Sequence, residues 1–300
     1  MRAKRSKIFP RQTARVVCLL LLGGVLLTPL HAQPKRIRPQ TQYLRIGQPD
    51  QEEGRQILED FRQRGIEGDY YWEFELSVLP REGGVSKRIP GRLWGSRNDK
   101  GAVSRIVLWP GDPAERRMIV EIGPQSACWL WRADDPLNEV RPVTGSAWFE
   151  PLADTHVSLF DLQMPFIHWT DFQFEGVVRR SNRPAHVFVF YPPADLAAQQ
   201  PQLAGVRVYL DTAYHALVQF ELIGADDKPL KTLRLGSFIQ VDNRWIVKEG
   251  DFRDDTTRDK TRFEVTAAAM GLQLSPSLFE AETLKKAQPA PAQGLRSFAR

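Results

Sequence analysis

Between Gly205 and Ala269 apolar residues recur at every second position along short runs: Val206, Val208 and Leu210, then Val218, Phe220 and Leu222, then Trp245 and Val247, then Phe263 and Val265. Turn formers separate the runs, at Asp211-Thr-Ala213, Gly224 to Pro229 and Asp242-Asn243. A two-residue period sends alternate side chains to opposite faces of an extended chain, whereas a helix would need a period of about 3.6. The stretch therefore predicts a β-meander with strands over 206–210, 214–223, 230–241, 244–252 and 261–267, one face buried and the other wetter.

The same grammar appears upstream. In the run from Asp69 to Leu79, Tyr70, Trp72, Phe74, Leu76 and Val78 share one face, while Tyr71, Glu73, Glu75 and Ser77 share the other. Further strands are predicted over 89–97, 102–109, 116–122, 127–132, 139–144, 172–180 and 185–191, joined by short turns rich in Gly, Pro and Asp. Asp50 with Glu53 three residues on forms a helix-start signal, Ile57, Leu58 and Phe61 give that helix one apolar face, and Gly65 ends it. The rhythm breaks from Gly145 to Trp169, where Phe160, Met164 and Ile167 are spaced for short helices and Pro165 opens a second one. The expected fold is mainly β with short helices: one curved antiparallel sheet of ten to twelve strands, too large to stay flat, with a helical lid. Residues 192–203 read as a linker carrying a short helix, and residues 285–300, rich in Ala, Pro and Gln, as a disordered tail.

The first 32 residues have a basic start, an apolar run from Val16 to Leu27 and a small residue at Ala32. This is the order of a cleavable signal peptide, and the run of about 12 residues falls short of the roughly 20 that span a bilayer. Residues 1–32 are expected to be removed on export to the periplasm, residues 33–49 to form a linker, and residues 50–284 to form the folded domain. Export also changes the charge. The chain has 41 basic and 36 acidic residues, and Arg2, Lys4, Arg5, Lys7, Arg11 and Arg15 all precede the cleavage point, leaving 35 and 36, or −1. The basic balance belongs to the leader and argues against a nucleic-acid partner. Only Cys128 remains of the cysteines, so no internal disulfide can form, and its apolar neighbours suit a buried thiol.

No nucleophile elbow, phosphate-binding loop or dinucleotide fingerprint is present. His156, His168, His186 and His215 lack metal-ligand spacing, and the pairs Asp134-Asp135, Asp226-Asp227 and Asp254-Asp255 fall in turns or at strand ends, where Asp serves the backbone. No cofactor, metal or catalytic residue is expected; Asp154, His156 and His168 mark the one place where acid–base work could occur, as part of a hydrolase alternative. The positive signal is aromatic. A curved sheet with an apolar insert has a surplus of apolar inner surface, the usual lining of a small-molecule site. The expected wall of an acyl-binding cavity is Trp72, Phe74, Leu76, Trp129, Trp131, Phe188, Phe190, Val218, Phe220 and Phe263. The expected lid is Phe160, Leu162, Met164, Phe166 and Trp169, with Phe160, Met164 and Phe166 covering Trp72, Phe74, Phe188 and Phe220.

Two sets of residues resemble the LolA-like family of periplasmic lipoprotein and lipid carriers, in its branch of outer membrane lipoprotein-sorting proteins. One is Leu159-Phe-Asp-Leu-Gln-Met-Pro-Phe-Ile-His-Trp169. The other is Val206-Arg-Val-Tyr-Leu-Asp211, Leu230-Lys-Thr-Leu233, Arg244-Trp-Ile246, Asp251 and Thr261-Arg-Phe-Glu-Val265, followed by Phe279 and Leu284. The resemblance covers most of Gly65 to Leu284. It implies an unclosed barrel of about eleven strands around short helices, acyl chains held between the concave face and the lid, and no enzyme activity. It implies as partners a lipid or acylated protein, an inner-membrane transporter as donor and an outer-membrane acceptor, with the carrier a monomer. The alternative is a non-catalytic envelope scaffold whose sheet edge or tail binds a protein partner.

Overall fold

The computed structural model describes residues 48–180 and 183–298. The expected signal peptide and most of the linker lie outside these residues. Helix α1, Gln51–Gln63, starts where Asp50 accepts hydrogen bonds from the backbone N–H groups of Glu52 (2.8 Å) and Glu53 (3.4 Å). It buries Gly54, Ile57 and Leu58, and the Gln51 side chain pairs with both backbone groups of Phe174. Gly54 lets the helix approach this closely: a Cβ there would sit 2.5 Å from that of Phe174.

The strands are β1 Asp69–Leu79, β2 Lys87–Asn98, β3 Gly101–Leu108, β4 Arg116–Ile122, β5 Ala127–Arg132, β6 Val140–Pro142, β7 Phe172–Arg180, β8 Arg183–Phe190, β9 Gly205–Asp211, β10 Leu217–Ile223, β11 Pro229–Val241, β12 Arg244–Asp254, β13 Lys260–Leu272 and β14 Arg296–Ser297. Helices α2, Leu159–Gln163, and α3, Ala194–Gln199, are short. The described residues thus form one antiparallel sheet of fourteen strands, not about eleven. Its order is β6-β5-β4-β3-β2-β1-β13-β12-β11-β10-β9-β8-β7, with β14 added beside β13. Consecutive strands pair throughout except β6 with β7, and at one place strands distant in the chain pair. There β1 and β13, nearly 200 residues apart, pair along the whole of β1 and join the two meanders. The free edges are β6 and β7, and the segment between them is the Gly145–Trp169 insert.

One apolar cluster draws Phe74 and Leu76 from β1, Ile106 from β3, Met118 from β4, Cys128 from β5, Phe188 from β8, Val208 from β9, Phe220 from β10, Leu233 from β11 and Phe252 from β12. Side chains from strands so far apart in the order can meet only if the sheet curls around them. Phe74 lies across Gly91 on β2, where an added Cβ would fall 2.2 Å from the ring. Burial drives the Cys128 thiol up to about 12, so it stays protonated at neutral pH.

The outer face of β2–β5 is also covered. The chain after β13 makes two tight turns, at Pro276–Phe279 and Ala281–Lys285, that set Leu278 against Tyr71, Trp94 and Val107 and Leu284 against Val103, Ile119 and Trp131. Where the composition suggests a disordered tail, the chain turns back to the sheet. Ser297 and Arg296 pair with Ala267 and Ala268, Phe298 N–H bonds to Thr266 O (2.8 Å), and Arg296 pairs with Asp242. There is room for β14 because β12 pairs with β13 only as far as Glu249 and then leaves it with β11.

Candidate functional site

The insert runs from one free edge of the sheet to the other and fills the concavity. Ser158 caps α2 in a closed box: its Oγ accepts from Asp161 N–H (3.3 Å), and Asp161 Oδ2 accepts from Ser158 N–H (2.8 Å). Met164, in the left-handed region at φ 46°, turns the chain into a second short turn, Pro165–His168. This pair of turns is too short to be stable alone and exists through what it buries. Phe160 and Phe166 are fully buried, and Phe166 packs edge-on against Phe220 (5.1 Å between ring centres) and also meets Phe190 (6.4 Å). Phe160 stacks on Phe149 (4.5 Å) and touches Phe166 and Trp169.

Polar contacts fasten this plug at several points around the shell. Lys231 on β11 reaches Asp161 Oδ2 (2.7 Å), Lys87 on β2 reaches Asp154 (2.9 Å) and Ala153 O (3.0 Å), and Thr261 on β13 accepts from His156 N–H (2.9 Å). Gln163 donates to Glu121 O on β4 (3.3 Å), and Arg62 on α1 donates from Nε to Ile167 O (2.6 Å). Beside this last contact, a cleft of about 460 Å³ opens at the rim between Arg62, Arg64, Arg97, Lys100, Met164 and Ile167.

Of the expected wall, Phe74, Leu76, Phe188, Phe190 and Phe220 lie in the cluster that the plug covers, with Phe263 packed against it. The expected lid residues Phe160, Phe166 and Trp169 are buried there, and Leu162 and Met164 are half-buried at its margin. Trp72 shares the strand face of Phe74 but sits further along, against Val241, Ile246 and Val265, outside the cluster under Phe160 and Phe166. Trp129 and Trp131 point the other way, to the outer cluster under Leu284; the inward residues of β5 are Cys128 and Leu130. Val218 also packs outward, against Val178, Ala185, Val187 and Tyr209. Tryptophan is the larger residue in each β5 pair, so hydrophobicity alone favours the wrong face. Val143, Trp148 and Phe149, none of them among the expected wall or lid residues, also pack against the inner cluster.

Asp154, His156 and His168 do not converge. Asp154 pairs with Lys87 at the surface, His156 Nδ1 lies 3.0 Å from Thr261 Oγ1, and His168 sits by the rim cleft with Arg62 and Glu59. Among the described residues no group of three or more His, Cys, Asp or Glu side chains is placed to hold a metal ion.

Both plug histidines are held below the ordinary imidazole value of 6.5. Burial is the main cause for each. For His156, Lys231 adds to it while Asp254 and Asp259 oppose; for His168, Arg62 adds to it while Glu59 opposes. A depressed folded-state value means the neutral form is the one accommodated. The stability it carries is present above the unfolded value and lost as pH falls through the folded one. Hydrogen exchange over residues 156–169, corrected for intrinsic rate, is therefore expected to be faster at about pH 5 than at about pH 7.5. The difference should shrink in His156→Gln with His168→Gln; an unchanged difference would place its origin elsewhere.

Solved structures share this architecture. A putative outer membrane lipoprotein-sorting protein domain from Vibrio parahaemolyticus superposes with a TM-score of 0.67 at 17% identity, over 79% of this chain and 100% of that one. A DUF1329 family protein from Desulfovibrio piger gives 0.64 at 16% identity, over 78% and 98%. A LolA superfamily protein from Nitrosomonas europaea gives 0.56 at 11% identity, over 76% and 97%. The fold, an unclosed antiparallel sheet wrapped around short helical turns, is LolA-like. A family model described as an uncharacterized protein matches residues 109–286, more than half of the chain, and the chain belongs to that family. No curated protein matches it.

Proposed function

We propose that this protein is a periplasmic carrier that holds the acyl chains of a lipid or lipoprotein between the concave face and the Leu159–Trp169 plug. The carrying observation is the plug itself: an aromatic segment that bridges the open seam of the sheet, buries Phe166 against Phe190 and Phe220 with Phe160 packed behind it, and is tied down by separate polar contacts. A segment without a regular core of its own can leave its seat while the sheet stays intact. The apolar wall it uncovers suits a hydrocarbon chain.

The energetics allow loading and release. An acyl chain of roughly 14 to 16 carbons, at about 0.8 kcal/mol per CH₂, gains ~10 kcal/mol gross on burial. Against this stand the ordering of the chain and the displacement of two phenylalanines worth about 1.5–3 kcal/mol each in burial. The net gain is therefore moderate, as a carrier that must hand over its load requires. In this reading the chain acts as a monomer between a membrane-bound donor and an outer-membrane acceptor, and the lid motion takes the place of chemistry. The likeness to a lipoprotein-sorting domain supports it at the level of fold.

The test is native mass spectrometry on protein extracted from membranes, with a fluorescent long-chain fatty acid as a second probe. A one-to-one lipid adduct and stoichiometric probe binding are expected. Protein that carries no lipid and leaves the probe in solution would remove the proposal.

A further inference from the structure

Exposed apolar side chains are not evenly spread over this molecule. Tyr214 (61% exposed), Phe238 (43%) and Trp245 (65%) stand among the few large apolar residues open to solvent among the described residues, and they line one groove of about 290 Å³ on the outer side of the sheet. Ala216, Leu217 and Val218 complete its apolar lining. Its position follows from the pairing. Beyond Glu249, β12 leaves β13 and continues with β11 as a two-stranded arm. The inward side chains of the arm, Ile239, Val241 and Ile246, pack on the cluster around Trp72. Phe238 and Trp245 belong to the opposite face and have no strand above them. Tyr214 belongs to the β9–β10 turn, which the alternation alone assigned to a strand.

The groove borders the rim where the plug ends. Arg64, at the end of α1, donates to Tyr214 O (2.8 Å) and also lines the cleft beside Met164 and Ile167. That rim carries more cations than anions: Arg62, Arg64, Arg97 and Lys100 line the cleft with Glu59 as its one carboxylate. Arg97, near the end of β2, and Lys100, in the β2–β3 turn, lie exposed at the cleft, and Arg183 stands over the Tyr214 ring (5.8 Å) while pairing with Asp211 of the groove (3.5 Å). In an antiparallel sheet, alternate turns fall at opposite ends. The carboxylate pairs Asp226-Asp227 and Asp254-Asp255 occupy the β10–β11 and β12–β13 turns, at the end away from the groove. The groove end thus sets its exposed Trp, Tyr and Phe beside Arg64, Arg97, Lys100 and Arg183, with Glu59, Asp99 and Asp211 among them.

We propose that the Tyr214–Phe238–Trp245 groove docks this protein on an anionic bilayer surface, its aromatic rings in the headgroup region and its rim cations on lipid phosphates. Amphipathic Trp and Tyr rings favour that layer, and basic side chains beside them add attraction that falls with ionic strength. Docking in this orientation brings the cleft beside the plug to the membrane. The inference stands apart from the carrier reading, because it concerns the outer face and needs no ligand inside.

The experiment uses the full chain and vesicles of phosphatidylglycerol with phosphatidylcholine, compared with phosphatidylcholine alone, with brominated acyl chains to quench nearby tryptophan. No tryptophan precedes Trp72, so the emission reports on the folded domain whatever the N-terminal segment does. Anionic vesicles are expected to quench the emission, and Trp245→Phe to abolish most of that quenching while the protein still binds. Phe238→Ala with Trp245→Ala should lower partitioning about tenfold, and Arg97→Gln with Lys100→Gln should reduce both the preference for anionic vesicles and its salt dependence. These side chains are exposed, and an unchanged thermal melt verifies the fold. Quenching that persists in Trp245→Phe, or partitioning unaffected by the aromatic pair, overturns the proposal, including the case in which the groove seats a protein instead. The carrier test is read without vesicles, so either idea can fail alone.

Discussion

Phe166→Ala is expected to lower the unfolding free energy by about 3–5 kcal/mol, the range for removing a fully buried phenylalanine. The ring is completely buried and touches Phe160, Trp169, Phe190 and Phe220, so truncation forfeits its transfer energy and leaves a void that four rigid aromatic neighbours cannot fill. Denaturant titration followed by far-UV circular dichroism should show the midpoint drop with little change in slope. The void is apolar, so it should stay dry and take up a small aromatic ligand, and added benzene should recover part of the loss. A loss under about 1 kcal/mol would mean that the plug contributes nothing to the cooperative unit and is not seated as described.

The second large effect is on the opposite face. Arg105 is almost fully buried in the middle of β3, and its guanidinium donates to Leu278 O (3.2 Å), Thr283 Oγ1 (2.9 Å), Thr283 O (3.1 Å) and Lys286 O (2.5 Å). Arg117 on β4 adds a bond to Leu284 O (2.9 Å) and one to Glu115. Burial, with Arg117 nearby, brings Arg105 down to about 10 while Glu115 opposes, so it remains charged at neutral pH. Arg105→Ala strands several acceptors at once, and hydrogen bonds to a charged group count about 1.5–3 kcal/mol each. A loss of about 4 kcal/mol is expected, with release of residues 276–286 from the sheet. Limited proteolysis should then cut at Lys285 and Lys286 in the variant but not in the parent protein. Arg105→Lys should fail to restore protection, because one ammonium cannot span acceptors arranged for a planar fork. If the variant resists protease as the parent does, the segment is held by Leu278 and Leu284 alone.

The two faces differ in how far they could be read in advance. Strand β1 alternates large apolar with polar residues, so Phe74 and Leu76 could be set on one shared face from order alone, and the structure turns that face inward. Strand β5 carries Cys128 and Leu130 on one side and Trp129 and Trp131 on the other. Both sides are apolar because both are covered, by the plug within and by Leu284 without, and alternation has then nothing to report. The tail misled for a related reason: its Ala, Pro and Gln carry little apolar content, yet the sheet offers an unpaired stretch of β13, and backbone pairing does not depend on composition. The plug was legible as a greasy interruption, with Phe160, Phe166 and Trp169 its buried members, but its fastening to Lys231, Lys87 and Arg62 joins residues up to about a hundred positions apart.

What the sequence determined by itself is local. A period of two with Asp, Asn, Gly and Pro at the breaks settles where strands run and turn, because φ/ψ preferences and side-chain alternation act over a few residues. What the tertiary structure decided is which face is inside, that β1 closes on β13, and that the insert fills the shell and leaves the β11–β12 arm with Trp245 in the open. Those outcomes depend on what covers each surface, and the covering segments come from distant parts of the chain. The energy that selects them is burial, which is non-directional and leaves no periodic mark.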